Sequence, residues 1–159
     1  MKKTVLITGA SGGIGAELCR FFINHNYIVI GIYFSDDTSI QRLSYELGND
    51  FHYYKCDLSN FKSAHDLISD VTEDGLHVDI LINNAGISFV GLLQELNQNN
   101  WDKLWNTNVT SMISLSKEII PIFLKNGAGQ IVNISSVWGN CGASCEVAYS
   151  ATKGAVNSF

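Results

Sequence analysis

The segment Thr8-Gly9-Ala10-Ser11-Gly12-Gly13-Ile14-Gly15 constrains this chain most, because its glycines stand between an apolar strand-like run and an amphipathic helical pattern. Glycine permits a tight strand-to-helix turn and lets the backbone approach a ligand with no Cβ in the way. The helix behind it offers unpaired N–H groups and the positive end of its dipole, which suit the charge of a pyrophosphate. A lone glycine pattern is a weak signal. Here it closes the first strand of a β/α/β unit and no Gly-Lys-Ser/Thr follows, so it points to a dinucleotide rather than a P-loop site. Gly9, Ser11, Gly12, Gly13, Ile14 and Gly15 are the candidate contacts.

The pattern of apolar residues places strands at Thr4 to Thr8, Tyr27 to Phe34, Phe51 to Cys56, Val78 to Ile82 and Gln130 to Ile134. Helical spacing fills the gaps at Ile14 to Asn24, Ser39 to Leu47, Phe61 to Glu73 and Asn100 to Lys125, with another helix from about Tyr149 onward. Alternation of this kind predicts an α/β fold, a doubly wound parallel sheet with right-handed crossovers. Thr4 to Ile7 and Val78 to Ile82 are almost unbroken apolar runs, which predicts central strands buried on both faces. With 159 residues and 46% hydrophobic side chains, one domain around one substantial core is expected.

A formal charge of −5 leaves no basic stripe for a nucleic-acid backbone. No apolar run approaches the ~20 residues that span a bilayer, and the N-terminal residues enter a strand without a signal-peptide cleavage site. A cytoplasmic protein without membrane or nucleic-acid partners is expected. Cys19, Cys56, Cys141 and Cys145 lack paired spacing and are read as reduced thiols. Cys141 and Cys145 stand close together, but the four histidines lie far upstream, so no metal is expected.

Ligands of open α/β sheets bind at the carboxyl ends of the strands, which gives the polar residues there their interest. Tyr33-Phe34-Ser35 ends the second strand with no carboxylate for a ribose 2′-hydroxyl, so Ser35 favours NADP(H) over NAD(H); Asp36 or Asp37 would supply one after a small shift of the turn. Asp57 and Leu58 follow the third strand, and Asn83-Asn84-Ala85-Gly86 follows the fourth. Asp57 either lines the cofactor pocket or caps the next helix, and the Asn-Asn-Ala-Gly unit either lines it or shapes a turn. Asn83, Ala85 and Gly86 are taken as cofactor contacts.

Tyr149 and Lys153 are four residues apart, so on a helix they share a face. A phenol ionising near 10 is a sluggish acid at neutral pH, and a nearby ammonium favours its anionic form. Ser136, at the end of the fifth strand, can donate a hydrogen bond to a substrate oxygen on which charge develops. Taken alone, a tyrosine and a lysine at this spacing are an ordinary helix face.

Together, the glycine loop, Asn83-Asn84-Ala85-Gly86, Asn108, Ser136 and Tyr149-Ser150-Ala151-Thr152-Lys153, in that order, resemble the short-chain dehydrogenase/reductases. The resemblance implies a Rossmann-type sheet and an NAD(P)-dependent oxidoreductase. In it Tyr149 is the proton donor, Lys153 holds the nicotinamide ribose, Ser136 orients the carbonyl and Asn108 supports a proton-relay water. It runs along the whole chain but covers only about the first two-thirds of a family member, so the C-terminal strands and the substrate lid are missing. An inactive dinucleotide-binding fragment is therefore the alternative to an enzyme.

Within the family the chain looks like the 3-oxoacyl-acyl-carrier-protein reductases. Between Ser136 and Lys153 it looks closer to an offshoot that reduces a 5-aminopentanone group on translation elongation factor P. Glu146 would there attract a cationic amine, making Ser136, Glu146 and Tyr149 the substrate contacts. A carrier-linked or small carbonyl substrate is implied, as is a homodimer or homotetramer joined through Asn100 to Lys125, where Trp101, Trp105, Met112, Ile113 and Ile119 offer an apolar face. Core packing explains most of these five equally well.

Overall fold

A computed structural model describes residues 2–159. Five strands, β1 (Thr4–Thr8), β2 (Ile28–Tyr33), β3 (Phe51–Lys55), β4 (Ile80–Asn83) and β5 (Gln130–Asn133), form one sheet in the order β3-β2-β1-β4-β5. Every pairing is parallel, with Leu6 opposite Ile30 on one side and Leu81 on the other. The helices are α1 (Gly13–Asn24), α2 (Asp37–Leu47), α3 (Phe61–Glu73), α4 (Gln98–Trp105), α5 (Ser111–Asn126) and α6 (Val147–Ser158).

Successive strand residues face opposite sides of the sheet, so each central strand feeds two cores. Leu6, Ile30, Ile32 and Leu81 pack with Leu67, Ile68 and Val71 of α3 and Leu115, Ile119 and Phe123 of α5. Val5, Ile7, Val29 and Ile82 pack with Cys19 of α1 and Ile40 and Leu43 of α2. Val5, Leu6 and Ile7 are fully buried. At roughly 1.5–3 kcal/mol for each large apolar side chain removed from water, β1 anchors both layers. Of the apolar residues expected on the long helix, Met112 and Ile119 are buried. Trp101 and Trp105 pair with ring centroids 5.4 Å apart.

Several boundaries differ from those the sequence predicts. Helix α2 starts two residues early because Asp36 caps it, accepting from the Ser39 N–H at 2.9 Å. Helix α3 is capped by Asn60, which accepts from the Ser63 N–H, and not by Asp57, which closes a short turn onto the Ser59 N–H. The single long helix expected over Asn100 to Lys125 is two helices joined by a π-helical turn, Asn106–Thr110. It starts at Gln98 because Asn97 caps it, and it ends at Asn126 with Gly127 left-handed at φ 72°. A π turn inserts an extra residue and often accompanies a functional site; this one holds Asn108.

Candidate active site

The strand order reverses between β1 and β4, and the segments leaving them, Gly9 to Gly15 and Asn84 to Ile87, meet at that crevice. Their contact is close. A Cβ on Gly9, whose φ is +69°, would lie 3.1 Å from Ala85, and one on Gly15 would lie 2.1 Å from the Gly9 carbonyl oxygen. Gly13 borders open space. Thr8 joins the two segments: its hydroxyl accepts from the Asn84 and Ala85 N–H groups at 3.0 and 2.8 Å, and its carbonyl accepts from Asn84 Nδ2 at 2.9 Å. Thr8 opens the glycine segment in the sequence, but nothing there signals that its side chain ties that segment to Asn84 and Ala85.

A groove of about 90 Å³ runs from this crevice across the carboxyl edge, lined by Gly9, Ile32, Tyr33, Asp57, Leu58, Ala85 and Thr107 among others. Gly9, Asp57, Leu58 and Ala85 of the expected set thus meet here. Leu58 is buried, and Ser35 is exposed at the end of β2. The carboxylates beside Ser35 are committed. Asp36 caps α2, and Asp37 takes the Lys55 ammonium at 2.9 Å and the Tyr33 hydroxyl at 2.8 Å. Those hydrogen bonds, Lys55 first, hold the Asp37 carboxyl below its ordinary range. Asn83 is buried and its side chain turns toward β5 and α5, with Nδ2 donating to Asn133 at 2.9 Å and Ser116 at 3.3 Å.

At the other end of the crevice stands α6. Lys153 is buried, its Nζ donates to the Ile134 carbonyl at 2.7 Å, and it lies 5.8 Å from the centroid of the Tyr149 ring. Burial lowers the Lys153 pKa. Both Lys153 Nζ and Asn108 Oδ1 face Gly86, at 3.5 and 3.4 Å from where its Cβ would stand. Asn108, deep in the π turn, accepts from the Ile87 N–H at 2.8 Å and donates to the Ile87 carbonyl at 2.9 Å.

Ser136 ends the segment after β5 and opens a short 3₁₀ turn, Val137–Gly139, its Oγ accepting from the Trp138 N–H at 3.2 Å. That turn packs on α6 so closely that a Cβ on Gly139 would come within 2.7 Å of the Lys153 carbonyl. Ser135 adds a hydrogen bond from its hydroxyl to the same carbonyl at 3.2 Å. Glu146, just before α6, receives the Ser88 hydroxyl at 2.6 Å and so bridges to the loop after β4. Cys141 and Cys145 are free and exposed. No described helix is long and apolar enough to cross a membrane.

A doubly wound parallel sheet with a glycine turn at its switch point and a tyrosine–lysine helix at the same edge defines a Rossmann-type α/β protein. The chain belongs to the short chain dehydrogenase family, whose model matches residues 3–159. It is 34% identical to an uncharacterized oxidoreductase, YmfI, of Bacillus subtilis, over the whole chain and 66% of that protein. It is 33% identical to the 3-oxoacyl-[acyl-carrier-protein] reductase FabG of Vibrio cholerae, over 99% of the chain and 64% of the relative. An acetoacetyl-CoA reductase of Acinetobacter is 32% identical over 99% and 65%. The chain thus spans just under two thirds of the length of these relatives. Among solved structures, ElxO with NADP bound superposes with a TM-score of 0.88 at 34% identity, covering 98% of this chain and 64% of that one. A 4-hydroxyisoleucine dehydrogenase complexed with NADH gives 0.86 at 28% identity, covering 98% and 65%.

Proposed function

We propose that this chain is the cofactor-binding and catalytic part of an NAD(P)H-dependent carbonyl reductase, with 3-oxoacyl thioesters as its substrate class. One observation carries the reading. Tyr149 shares a face of α6 with a buried Lys153, whose Nζ lies 5.8 Å from the Tyr149 ring centroid and faces Gly86. The substrate class draws on the relatives named as 3-oxoacyl-[acyl-carrier-protein] and acetoacetyl-CoA reductases.

The residues present fit a nicotinamide dinucleotide. Gly9 and Gly15 leave a cradle that any Cβ would fill, and Ser11, Gly12, Gly13 and Ile14 lead into the N-terminus of α1, where backbone N–H groups receive a pyrophosphate. Asp57 and Leu58 border the adenosine end and Ala85 and Gly86 the nicotinamide end, with the backbone of Asn83 leading into that segment. Bound there, the reduced nicotinamide supplies a hydride to the carbonyl carbon. Tyr149 gives its hydroxyl proton to the carbonyl oxygen, and the Lys153 ammonium steadies the phenolate left behind. The Ser136 oxygen accepts from Trp138, so its own hydrogen is free for the same carbonyl oxygen as charge builds. Lys153 spends one N–H on Ile134, leaving two for a ribose hydroxyl and the phenol side.

NADP(H) is the favoured cofactor, with NAD(H) the alternative. With Asp36 and Asp37 both committed, the exposed Ser35 is left to meet the 2′ position, and a serine hydroxyl hydrogen-bonds a phosphate without repelling it. The deciding experiment follows NADPH oxidation at 340 nm with acetoacetyl-CoA, alongside fluorescence titration of NADPH and NADH. Turnover lost in Tyr149→Phe with NADPH binding retained is the expected result. A Tyr149→Phe variant that turns over like the parent overturns the reading. Cofactor binding without turnover by the 159-residue chain would mark it as a binding module.

A second reading, reduction of a 5-aminopentanone group on modified elongation factor P, draws on Glu146. Among the described residues one of its carboxylate oxygens is engaged, by Ser88, which leaves the other for a cationic amine. Glu146→Gln that loses activity on an amino-ketone and keeps it on acetoacetyl-CoA supports this reading. Equal activity on the amino-ketone removes it.

A further inference from the structure

The chemistry proposed above makes no use of the Thr152 hydroxyl, which is buried beside the two reacting side chains. Thr152 lies between Tyr149 and Lys153 in sequence and is fully buried. Its Oγ1 donates to the Tyr149 carbonyl at 2.7 Å and accepts from Asn108 Nδ2 at 2.9 Å. Asn108 gives its other amide hydrogen to the Ile87 carbonyl, and its Oδ1 takes the Ile87 N–H. The chain of bonds therefore runs from the α6 backbone, through a hydroxyl and a carboxamide, to both backbone groups of Ile87.

The polarity of that chain is fixed at every step. The single Thr152 hydrogen is spent on Tyr149, so toward Asn108 the hydroxyl can only accept. Turning the Asn108 amide over would set a donor against the Ile87 N–H and an oxygen against the Ile87 carbonyl. A buried polar group that loses its partner keeps its desolvation cost, so the arrangement resists drift.

We propose that Thr152 is a positioning residue, whose hydroxyl ties the Asn84–Ile87 segment, through Asn108, to the turn of α6 that carries Tyr149 and Lys153. Gly86, within this segment, is what Lys153 Nζ and Asn108 Oδ1 face. The tie therefore sets how far the nicotinamide-side backbone stands from the proton donor. The inference rests on the carbonyl-reductase reading, and it concerns kcat, because the tie is made at Ile87, whereas Asn84 and Ala85 are held to the glycine-turn side by their own bonds to Thr8.

The test compares Thr152→Val, which keeps the shape and loses both bonds, with Thr152→Ser, which keeps the hydroxyl. Thr152→Val is expected to lower kcat about tenfold or more, the scale of a misplaced reacting group, with the NADPH dissociation constant within about twofold of the parent. Amide exchange by NMR supplies a readout independent of turnover. The Ile87 amide should exchange about tenfold faster in Thr152→Val, while Thr152→Ser restores both protection and most of kcat. Should Thr152→Val fold poorly, Thr152→Ala, with a strong helix former, takes its place.

A valine variant with parental kcat overturns the proposal, whether or not Ile87 protection is lost. So does a serine variant as impaired as the valine one, since the role would then be packing by the methyl group. Failure of the wider reading looks different: Tyr149→Phe would stay active while Ile87 exchange still answered to Thr152.

Discussion

Gly15→Ala should damage the site and the fold together, although it places a better helix former within α1. On propensity alone the change gains about 0.5–1 kcal/mol. Against that, the new Cβ would stand 2.1 Å from the Gly9 carbonyl oxygen, 2.8 Å from its carbon and 2.9 Å from Asn84 Nδ2. Gly9 would have to retreat by more than ~1 Å for an ordinary contact, and it is not free to move. Its carbonyl accepts from the Gly12 N–H at 3.1 Å, and Asn84 is bonded to the neighbouring Thr8 carbonyl. Overpacking against fixed atoms costs about 1–3 kcal/mol, and a backbone obstacle belongs at the upper end. The net loss is then roughly 2 kcal/mol, or about 4–8 °C in Tm for a domain of this size. Because the displaced atoms belong to the cradle proposed above for the pyrophosphate, the NADPH dissociation constant should rise about tenfold or more. Gly13→Ala is the internal control, since nothing lies within 4 Å of its Cβ, and it should stay within about 0.5 kcal/mol of the parent. Urea melts and fluorescence titration of both variants decide the matter. A Gly15→Ala protein with parental stability and affinity, or a Gly13→Ala protein equally damaged, would refute the steric account.

Two further outcomes follow from burial. Burial depresses the pKa of Lys153 in the folded state, so the stability tied to that shift is fully present above about 10.5, its ordinary value, and is lost as pH falls through the depressed one. The stability difference between parent and Lys153→Met, measured by urea melts, should therefore move in the parent's favour as pH rises toward 10.5, with turnover reduced about a hundredfold or more; a pH-independent difference contradicts the burial argument. Cys141 and Cys145 are exposed, whereas burial pushes the Cys19 thiol up to about 12 and, with Asp57, the Cys56 thiol up to about 11. A thiol-specific disulfide reagent at pH 8 should modify two cysteines quickly and the other two only in denaturant, as mass spectrometry of peptides would show, and rapid labelling of Cys19 would contradict its place in the core.

Local patterns in the chain were enough for the alternation of strands and helices, the two central strands and the glycine turn, because each depends on neighbours in sequence. Apolar runs at Thr4–Thr8 and around Val78–Ile82 read as doubly buried for the same reason they are central: Val5-Leu6-Ile7 and Ile80-Leu81-Ile82 put apolar side chains on both faces, and the polar Thr4, Thr8 and Asp79 lie outside those triplets. The spacing of Tyr149 and Lys153 likewise fixed a shared helix face. What required the folded molecule were the links between segments far apart in the chain. Only the packing of β4 against β1 shows that Asn84 and Ala85 bond to Thr8 while Asn83 turns away to Asn133 and Ser116. That Asn60 rather than Asp57 caps α3 depends on which residue takes the cap backbone conformation, a matter of one or two turns of the chain that composition leaves open. The bond between Asn108 and Thr152 spans 44 residues. Periodicity reports what a residue does for its own helix or strand, and a hydrogen bond closed across such a distance leaves no period to read.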